Sequence, residues 1–237
     1  VVPGFIDLHN HSDDQMLDRR TRACVNYLTQ GCTTIVTGSC GGGPVDARKY
    51  YDRIDESGAG VNVAHLLPQG ALRGLGVGSE QRQATPDEID KMRQLAEQAM
   101  QDGAWGMSSG LIYVPSSYAD TKELIEIAKV VGRHGGIYAS HIRGEGLDLL
   151  TSINEALEIG REAQTPVHIS HFKSSGKDAW GLVRGASELI EKARAAGERV
   201  TADQYPYVAS STSLEATLIP TWARSGGDKK FQARLED

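Results

Sequence analysis

The sequence predicts an α/β fold, with a (β/α)8 barrel of TIM type as the first choice. Short apolar runs recur at regular intervals, and helical patterns separate most of them, which indicates repeated βα units and a parallel sheet. The length of 237 residues suits a single barrel domain. The seven predicted strands lie near residues 5–9, 34–38, 61–66, 105–108, 137–141, 167–171 and 199–204.

Amphipathic helices are predicted between these strands. The clearest start signal combines Thr85 as N-cap, Pro86 at the first helical position and Glu88 as the acid of a capping box. Further helices are centred on residues 124–131, 150–160 and 183–193. The connection over 44–57 is less regular, and 70–78 is predicted to be a glycine-rich loop.

The barrel is predicted to be incomplete, because no eighth strand is found. An open doubly wound sheet is the second choice, but the first strand is not followed by the Gly-x-Gly-x-x-Gly of a dinucleotide site. We expect an incomplete catalytic barrel over 1–219 and the start of a polar loop or insertion over 220–237. A barrel that lacks a strand has open sheet edges.

Composition limits which binding partners and which cellular compartment are expected. The net charge is −6, whereas a protein that binds nucleic acid needs a basic stripe, so a nucleic-acid partner is not expected. No run of about 18 apolar residues is found, so no membrane span is expected. Three cysteines favour a reducing, cytoplasmic compartment, although a start without Met leaves export open. The oligomeric state stays open.

Metal-ligand residue types occur at the ends of several predicted strands. His9 and His11 are two apart after the first strand and can therefore share a face, although two histidines closing an ordinary surface strand give the same pattern. In a barrel, however, the carboxyl ends of all strands meet at one rim. That rim gathers Cys40, His141 and His171 beside them, a ligand set typical of zinc.

The remaining histidines and cysteines are predicted to have structural roles. His168 lies three residues before His171, so we expect it on the opposite face of the strand, packed against a helix. His134 lies in the last turn of a helix, where a cation suits the helix dipole. His65 is expected in the core, and Cys24 and Cys32 are expected to pack.

Several motifs together resemble a known family. The stretch from Pro3 to Asp13, PGFIDLHNHSD, resembles the first-strand signature of the amidohydrolase superfamily. The run Gly-Ser-Cys-Gly at 38–41 resembles the Gly-Asn-Cys-Gly motif of the N-acyl-D-amino-acid deacylases, or D-aminoacylases. Further matches along the chain are SSGLIY at 108–113, SHIRGEG at 140–146, ISHFK at 169–173 and DQYPY at 203–207.

This resemblance implies a zinc-dependent hydrolase with one tight metal site and a second, weaker one. Cys40, His141 and His171 would hold the tight zinc, and His9 and His11 would belong to the weaker position. Many amidohydrolases carry a metal-bridging carboxylated lysine after the fourth strand, where this chain has none. The family's catalytic acid/base is an aspartate after the eighth strand, which we expect beyond residue 237, so this chain alone is expected to be inactive.

The resemblance also nominates residues for the carboxylate of a small N-acyl amino acid substrate. They are Lys173, Tyr205 and Ser211. Arg143 is a fourth candidate because it lies two residues past His141, with an ion pair to Glu145 as the equal alternative. The implied reaction is cleavage of linear N-acyl-D-amino acids to a carboxylate and a D-amino acid. The alternatives are a cyclic-amide hydrolase of the dihydroorotase or hydantoinase kind and a non-catalytic metal-binding barrel.

Overall fold

The computed structural model describes residues 1–236 and contains the predicted parallel strands. Each of the seven predicted strands is present, and the third is split in two. The strands are β1 (Phe5–Asp7), β2 (Cys32–Thr37), β3 (Asn62–His65), β4 (Leu67–Pro68), β5 (Gly106–Gly110), β6 (Ile137–His141), β7 (Val167–Ile169) and β8 (Val200–Ala202).

All strand pairs are parallel, and they form two sheets that follow one another along the chain. The first sheet has the order β1-β2-β3 and the second the order β4-β5-β6-β7-β8. Only Leu66 separates β3 from β4, and its backbone N–H donates to the carbonyl of Thr37. The N–H of Trp105 donates to the carbonyl of His65, so the two sheets continue as one curved wall.

The wall is an open α/β barrel. Within residues 1–236 no ladder joins β1 to β8, as expected for a barrel that lacks a strand. β1 consequently exposes Phe5 and Ile6, which are 59% and 55% accessible. The division into 1–219 and 220–237 stays a prediction. Residues 228–236 form a helix, and Asp237 lies outside the described residues.

The helices surround this wall and lie mostly where the sequence predicted them. Thr85 caps its helix, and its capping box with Glu88 is formed in both directions, which confirms that prediction. In residues 1–236 no helix combines the length and the apolar character needed to cross a membrane. The helices are α1 (Val25–Leu28), α2 (Ala47–Ser57), α3 (Gln69–Gly76), α4 (Pro86–Gln101), α5 (Thr121–Arg133), α6 (Leu149–Ala163), α7 (Leu182–Ala195), α8 (Leu214–Leu218) and α9 (Asp228–Glu236).

Two connections are more regular than the sequence suggested. The segment 44–57 contains the whole of α2, whose Tyr50 and Ile54 are buried. The glycine-rich stretch 70–78 was predicted to be a loop, but most of it is α3. Burial of Leu72 and Arg73 outweighs the low helix propensity of its glycines, since packing of one face supplies most helical stability in proteins.

The largest hydrophobic core lies between α3, α4, α5 and the second sheet. Leu124 on α5 is fully buried in it, together with Met92 of α4 and Tyr138 of β6. We expect Leu124→Ala to lower the free energy of unfolding by about 2–5 kcal/mol, because it removes buried methyl groups and leaves a cavity. Equilibrium urea unfolding measures this change.

The matched control is Leu147→Ala, since Leu147 is 72% exposed. Its effect should stay within about 0.5 kcal/mol. Equal losses for the two variants would contradict the placement of α5 against the core.

Candidate metal centre

Five candidate ligands lie at one end of the parallel strands. His9 and His11 follow β1, Cys40 lies in a short 3-10 turn (Ser39–Gly41) after β2, His141 is the last residue of β6, and His171 follows β7 by two residues. Parallel strands share their direction, so residues that follow different strands meet at the same rim. The expected convergence of the five side chains is therefore present.

The distances between these side chains are short. Cys40 Sγ lies 3.3 Å from His9 Nε2 and 3.6 Å from His141 Nδ1, and His171 Nε2 lies 2.8 Å from His141 Nδ1. One ligand atom from each of His9, Cys40 and His171 falls within 4.8 Å of the others. The His11 ring centroid lies 5.6 Å from that of His9. The cluster thus surrounds one small volume.

The cluster has the chemistry of a soft or borderline cation site. His141 Nδ1 and His171 Nε2 face each other, an arrangement that repels unless a proton or a cation lies between them. His141 Nε2 is buried and has no hydrogen-bond partner within residues 1–236. Imidazole nitrogens with a thiolate form a ligand set that zinc prefers. The residues present therefore fit zinc.

The backbone is strained at two of the five residues. Cys40 and His171 have φ values of +53° and +38°, a left-handed region that is costly for residues with a side chain. Such strain persists where the surrounding fold imposes it, and it concentrates at functional sites. The turn at Cys40 packs so closely on Gly110 of β5 that a Cβ there would collide with the Cys40 carbonyl oxygen.

The imidazoles also set the charge of the thiol. Burial raises the pKa of Cys40, but hydrogen bonds from four histidines outweigh burial and lower it to about 2. Burial lowers the pKa of His9, yet its hydrogen bonds to Asp203 and Cys40 raise it to about 10. The cluster thus favours a thiolate, the form of cysteine that binds metals.

Asp203, which was not among the predicted site residues, holds three groups of this rim. Its carboxylate lies 3.1 Å from His9 Nδ1 and 2.7 Å from His168 Nε2, and it accepts the backbone N–H of His171 at 2.6 Å. Burial would raise the pKa of Asp203, but the hydrogen bonds from His168 and His9 hold it well below its usual range. Its position directly after β8 was the available signal.

His168 contacts Asp203 at this rim, so the prediction that it lies on the opposite face of the strand from His171 was wrong. Its Nδ1 pairs with Thr201 Oγ1 of β8 at 2.8 Å and its Nε2 with Asp203. The prediction assumed that strand alternation continues to His171. β7 ends at Ile169, and the left-handed backbone at His171 breaks the alternation. By contrast, His65 is a fully buried histidine bonded to Thr37 and Pro44, as predicted.

Glu145, which was considered only as an ion-pair partner of Arg143, joins a candidate ligand to a candidate substrate-binding residue. Its Oε1 lies 2.8 Å from His171 Nδ1 and 2.6 Å from Lys173 Nζ. Burial would raise the pKa of Glu145, but hydrogen bonds from His171 and Lys173 outweigh it and lower the pKa. A carboxylate on the second nitrogen of a metal-binding histidine fixes the orientation of the ring.

Two of the four nominated substrate-binding residues line the large cavity beside the cluster, and a third lies close by. The cavity has a volume of about 860 Å³, and its walls include Tyr205 and Ser211 together with His9 and Asp203. Lys173 Nζ lies 5.5 Å from the centre of the Tyr205 ring. The Tyr205 hydroxyl is buried and unpartnered within residues 1–236.

The structure does not bring Arg143 to this cavity. Its guanidinium pairs with Glu155 of α6 at 2.8 Å and donates to the carbonyls of Ser117 and Ala119. The alternative ion pair with Glu145 was therefore wrong, because Glu155 supplies the carboxylate. Arg143 lines a separate groove.

Removing the charge of Asp203 should change the titration of His9. In zinc-free protein, Asp203→Asn should lower the pKa of His9 from about 10 towards its ordinary value or below, since burial then acts with less opposition. NMR titration of the imidazole resonances measures this. Asp178→Asn, in an exposed turn, is the control. A His9 pKa that stays high in Asp203→Asn would contradict the proposed contact.

Comparison with known proteins agrees with the predicted fold and with the family that the motifs resemble. No protein-family model matches the chain. The chain is 40% identical to the D-aminoacylase of Alcaligenes xylosoxydans xylosoxydans over 242 aligned residues, which cover 92% of this chain and 49% of that protein. The chain thus spans about half the length of the curated relatives it matches.

Two solved structures are similar over the same span. A crystal structure of D-aminoacylase has a TM-score of 0.83 at 36% identity and covers 88% of this chain and 48% of that one. The N-acyl-D-glutamate deacylase of Bordetella bronchiseptica, solved with zinc and a phosphonate inhibitor, has a TM-score of 0.82 at 30% identity, covering 86% and 48%. Over the span that it covers, the chain belongs to the D-aminoacylase family of the amidohydrolase superfamily.

Proposed function

We propose that this chain forms the metal-binding part of a zinc-dependent enzyme that hydrolyses N-acyl-D-amino acids to a carboxylate and a D-amino acid. The observation that carries the proposal is the convergence of four imidazoles and the Cys40 thiol at one rim of the barrel. That rim adjoins a cavity beside a lysine and an unpartnered tyrosine hydroxyl. The D preference rests on the family alone.

In this proposal Cys40, His141 and His171 hold the tightly bound zinc. His9 and His11 would form a second, weaker position next to Cys40, whose Sγ lies 3.3 Å from His9 Nε2. A zinc ion held by these residues would act as a Lewis acid on the scissile carbonyl and would lower the pKa of bound water. Asp203 and Glu145 orient His9 and His171 through their second ring nitrogens.

The substrate carboxylate is bound by Lys173, Tyr205 and Ser211. Lys173 supplies the positive charge, and Glu145 holds its ammonium in place at 2.6 Å. The unpartnered hydroxyl of Tyr205 is free to donate to a carboxylate oxygen. Arg143 has no role here, because Glu155 and two carbonyls occupy its guanidinium.

The proton transfers need a further acidic group. Asp203 is unsuited to this role, because His9, His168 and a backbone N–H occupy its carboxylate. The catalytic acid/base remains predicted as an aspartate beyond residue 237. We also infer a reducing, cytoplasmic compartment, since Cys24, Cys32 and Cys40 are free thiols.

The cyclic-amide hydrolases remain the second candidate. They are disfavoured because β5, the fourth strand of the barrel, carries no lysine that could become a bridging carbamate. Cys40 lies instead against this strand, with its carbonyl packed on Gly110. A metal-binding barrel without activity is the third candidate.

The proposal is tested with the natural full-length protein. We expect about one tightly bound zinc per chain. N-acetyl-D-amino acids should be hydrolysed at least about 100-fold faster than the L-enantiomers, because the wrong enantiomer leaves polar groups of the site unpaired. Cys40→Ala should lose most of the zinc and the activity. Cys32→Ala, a thiol on β2 away from the rim, is the matched control.

The outcomes separate the three candidates. Preferred hydrolysis of dihydroorotate or hydantoins would favour the cyclic-amide hydrolases. Zinc without hydrolysis of any amide would favour the binding protein. Zinc content unchanged in Cys40→Ala would contradict the metal assignment.

A further inference from the structure

A second cavity adjoins the metal centre and is not explained by carboxylate binding. It has a volume of about 470 Å³, and Cys40 and His11 form part of its wall. Among residues 1–236, only His11 lines both this cavity and the larger one that contains Tyr205 and Ser211. A hydrogen bond of 2.9 Å between the Tyr113 and Thr212 hydroxyls links the small cavity to the segment that lines the large one. A scissile bond at the metal centre therefore has a separate space on either side.

The walls of the small cavity suit an uncharged group. No Asp, Glu, Lys or Arg side chain of residues 1–236 lines it. One wall is the face of α3 that carries Gly70, Ala71 and Gly74, and the loop with Val114 and Pro115 forms another. Small and apolar walls accept an apolar chain and offer no counter-charge for a carboxylate. The lysine that suits the carboxylate lies near Tyr205 of the large cavity.

Three contacts hold α3 in position. Arg73 is fully buried and pairs with the buried Glu123 of α5 at 3.0 Å. Ser116 donates to the side-chain oxygen of Gln69 in the first turn. Gly70 packs so closely on the Cys40 turn that a Cβ would lie 2.8 Å from the Gly41 carbonyl oxygen. The small cavity therefore has a rigid floor, which is what chain-length selection needs.

We propose that this cavity binds the acyl group of the substrate, as a short, unbranched apolar chain, and that Ala71 and Gly74 on α3 limit its length. The inference rests on the proposed deacylase function and divides the substrate between two cavities. The carboxylate and side chain of the amino acid occupy the large cavity, and the acyl chain extends from the metal centre towards α3.

Gly74 is the position at which the cavity can be shortened with the least disturbance. It lies in the helix without a positive φ, and a Cβ added there meets no atom within 4 Å. Gly74→Ala and Gly74→Val therefore reduce the volume of the cavity in two steps. The matched control is Gly185→Val in α7, where an added Cβ meets Leu150 at an ordinary 3.4 Å and lies outside the cavity.

The experiment measures kcat/KM of the zinc-loaded full-length protein for formyl, acetyl, butanoyl and hexanoyl derivatives of one D-amino acid. Gly74→Val should lower the hexanoyl-to-acetyl ratio by about tenfold or more, mainly through KM, because each excluded methylene costs about that factor. Gly74→Ala should have a smaller effect of the same kind. Gly185→Val should leave the ratio unchanged. Calorimetric binding of hexanoate and acetate should show the same selective loss.

Two results would overturn the inference. One is a hexanoyl-to-acetyl ratio that Gly74→Val leaves unchanged, and the other is an equal fall of that ratio in the control Gly185→Val. If the wild type hydrolyses no N-acyl-D-amino acid, the proposed function fails by itself. Hexanoate binding then tests the role of the cavity independently. Selective weakening of hexanoate binding in Gly74→Val supports a site for an apolar chain, and hexanoate binding equal to that of the wild type overturns it.

Discussion

The crowding of four imidazoles around one buried thiol is the feature on which the rest of the site depends. Burial alone would keep Cys40 protonated, whereas the surrounding histidines lower its pKa to about 2. Two ring nitrogens, of His141 and His171, approach to 2.8 Å. The facing nitrogens need a proton or a cation between them, and the buried thiolate needs a positive partner. The fold therefore concentrates ligands where a divalent metal is the natural counterpart.

Two carboxylates, of Asp203 and Glu145, each join separate groups around this cluster. Asp203 joins His9, which follows β1, to the end of β8, although no ladder joins these two strands in residues 1–236. Glu145 joins His171 to Lys173, so one carboxylate orients a candidate metal ligand and a candidate anchor for the substrate. Changes at Glu145 should therefore affect metal binding and substrate binding together.

Much of the fold and the ligand set could be predicted because both follow from short-range patterns. The capping box follows from the residue types at 85 and 88 alone. The convergence of His9, Cys40, His141 and His171 needs only parallel strands that share one direction. The predictions that failed depended on where a helix or strand ends, or on which residues pack against it. α3 forms despite its glycines because Arg73 pairs with Glu123 across a long sequence separation. The opposite faces predicted for His168 and His171 required strand alternation between them. β7 ends before His171, and His168 contacts Asp203 at the rim.

The central claim is that the Cys40 thiolate and the rim imidazoles bind zinc directly. Zinc K-edge X-ray absorption of the zinc-loaded full-length protein tests it without relying on activity. The account predicts one sulfur scatterer at about 2.3 Å with imidazole nitrogens at about 2.0–2.1 Å, and loss of the sulfur shell in Cys40→Ala. A zinc environment of nitrogen and oxygen alone in the wild type would contradict it.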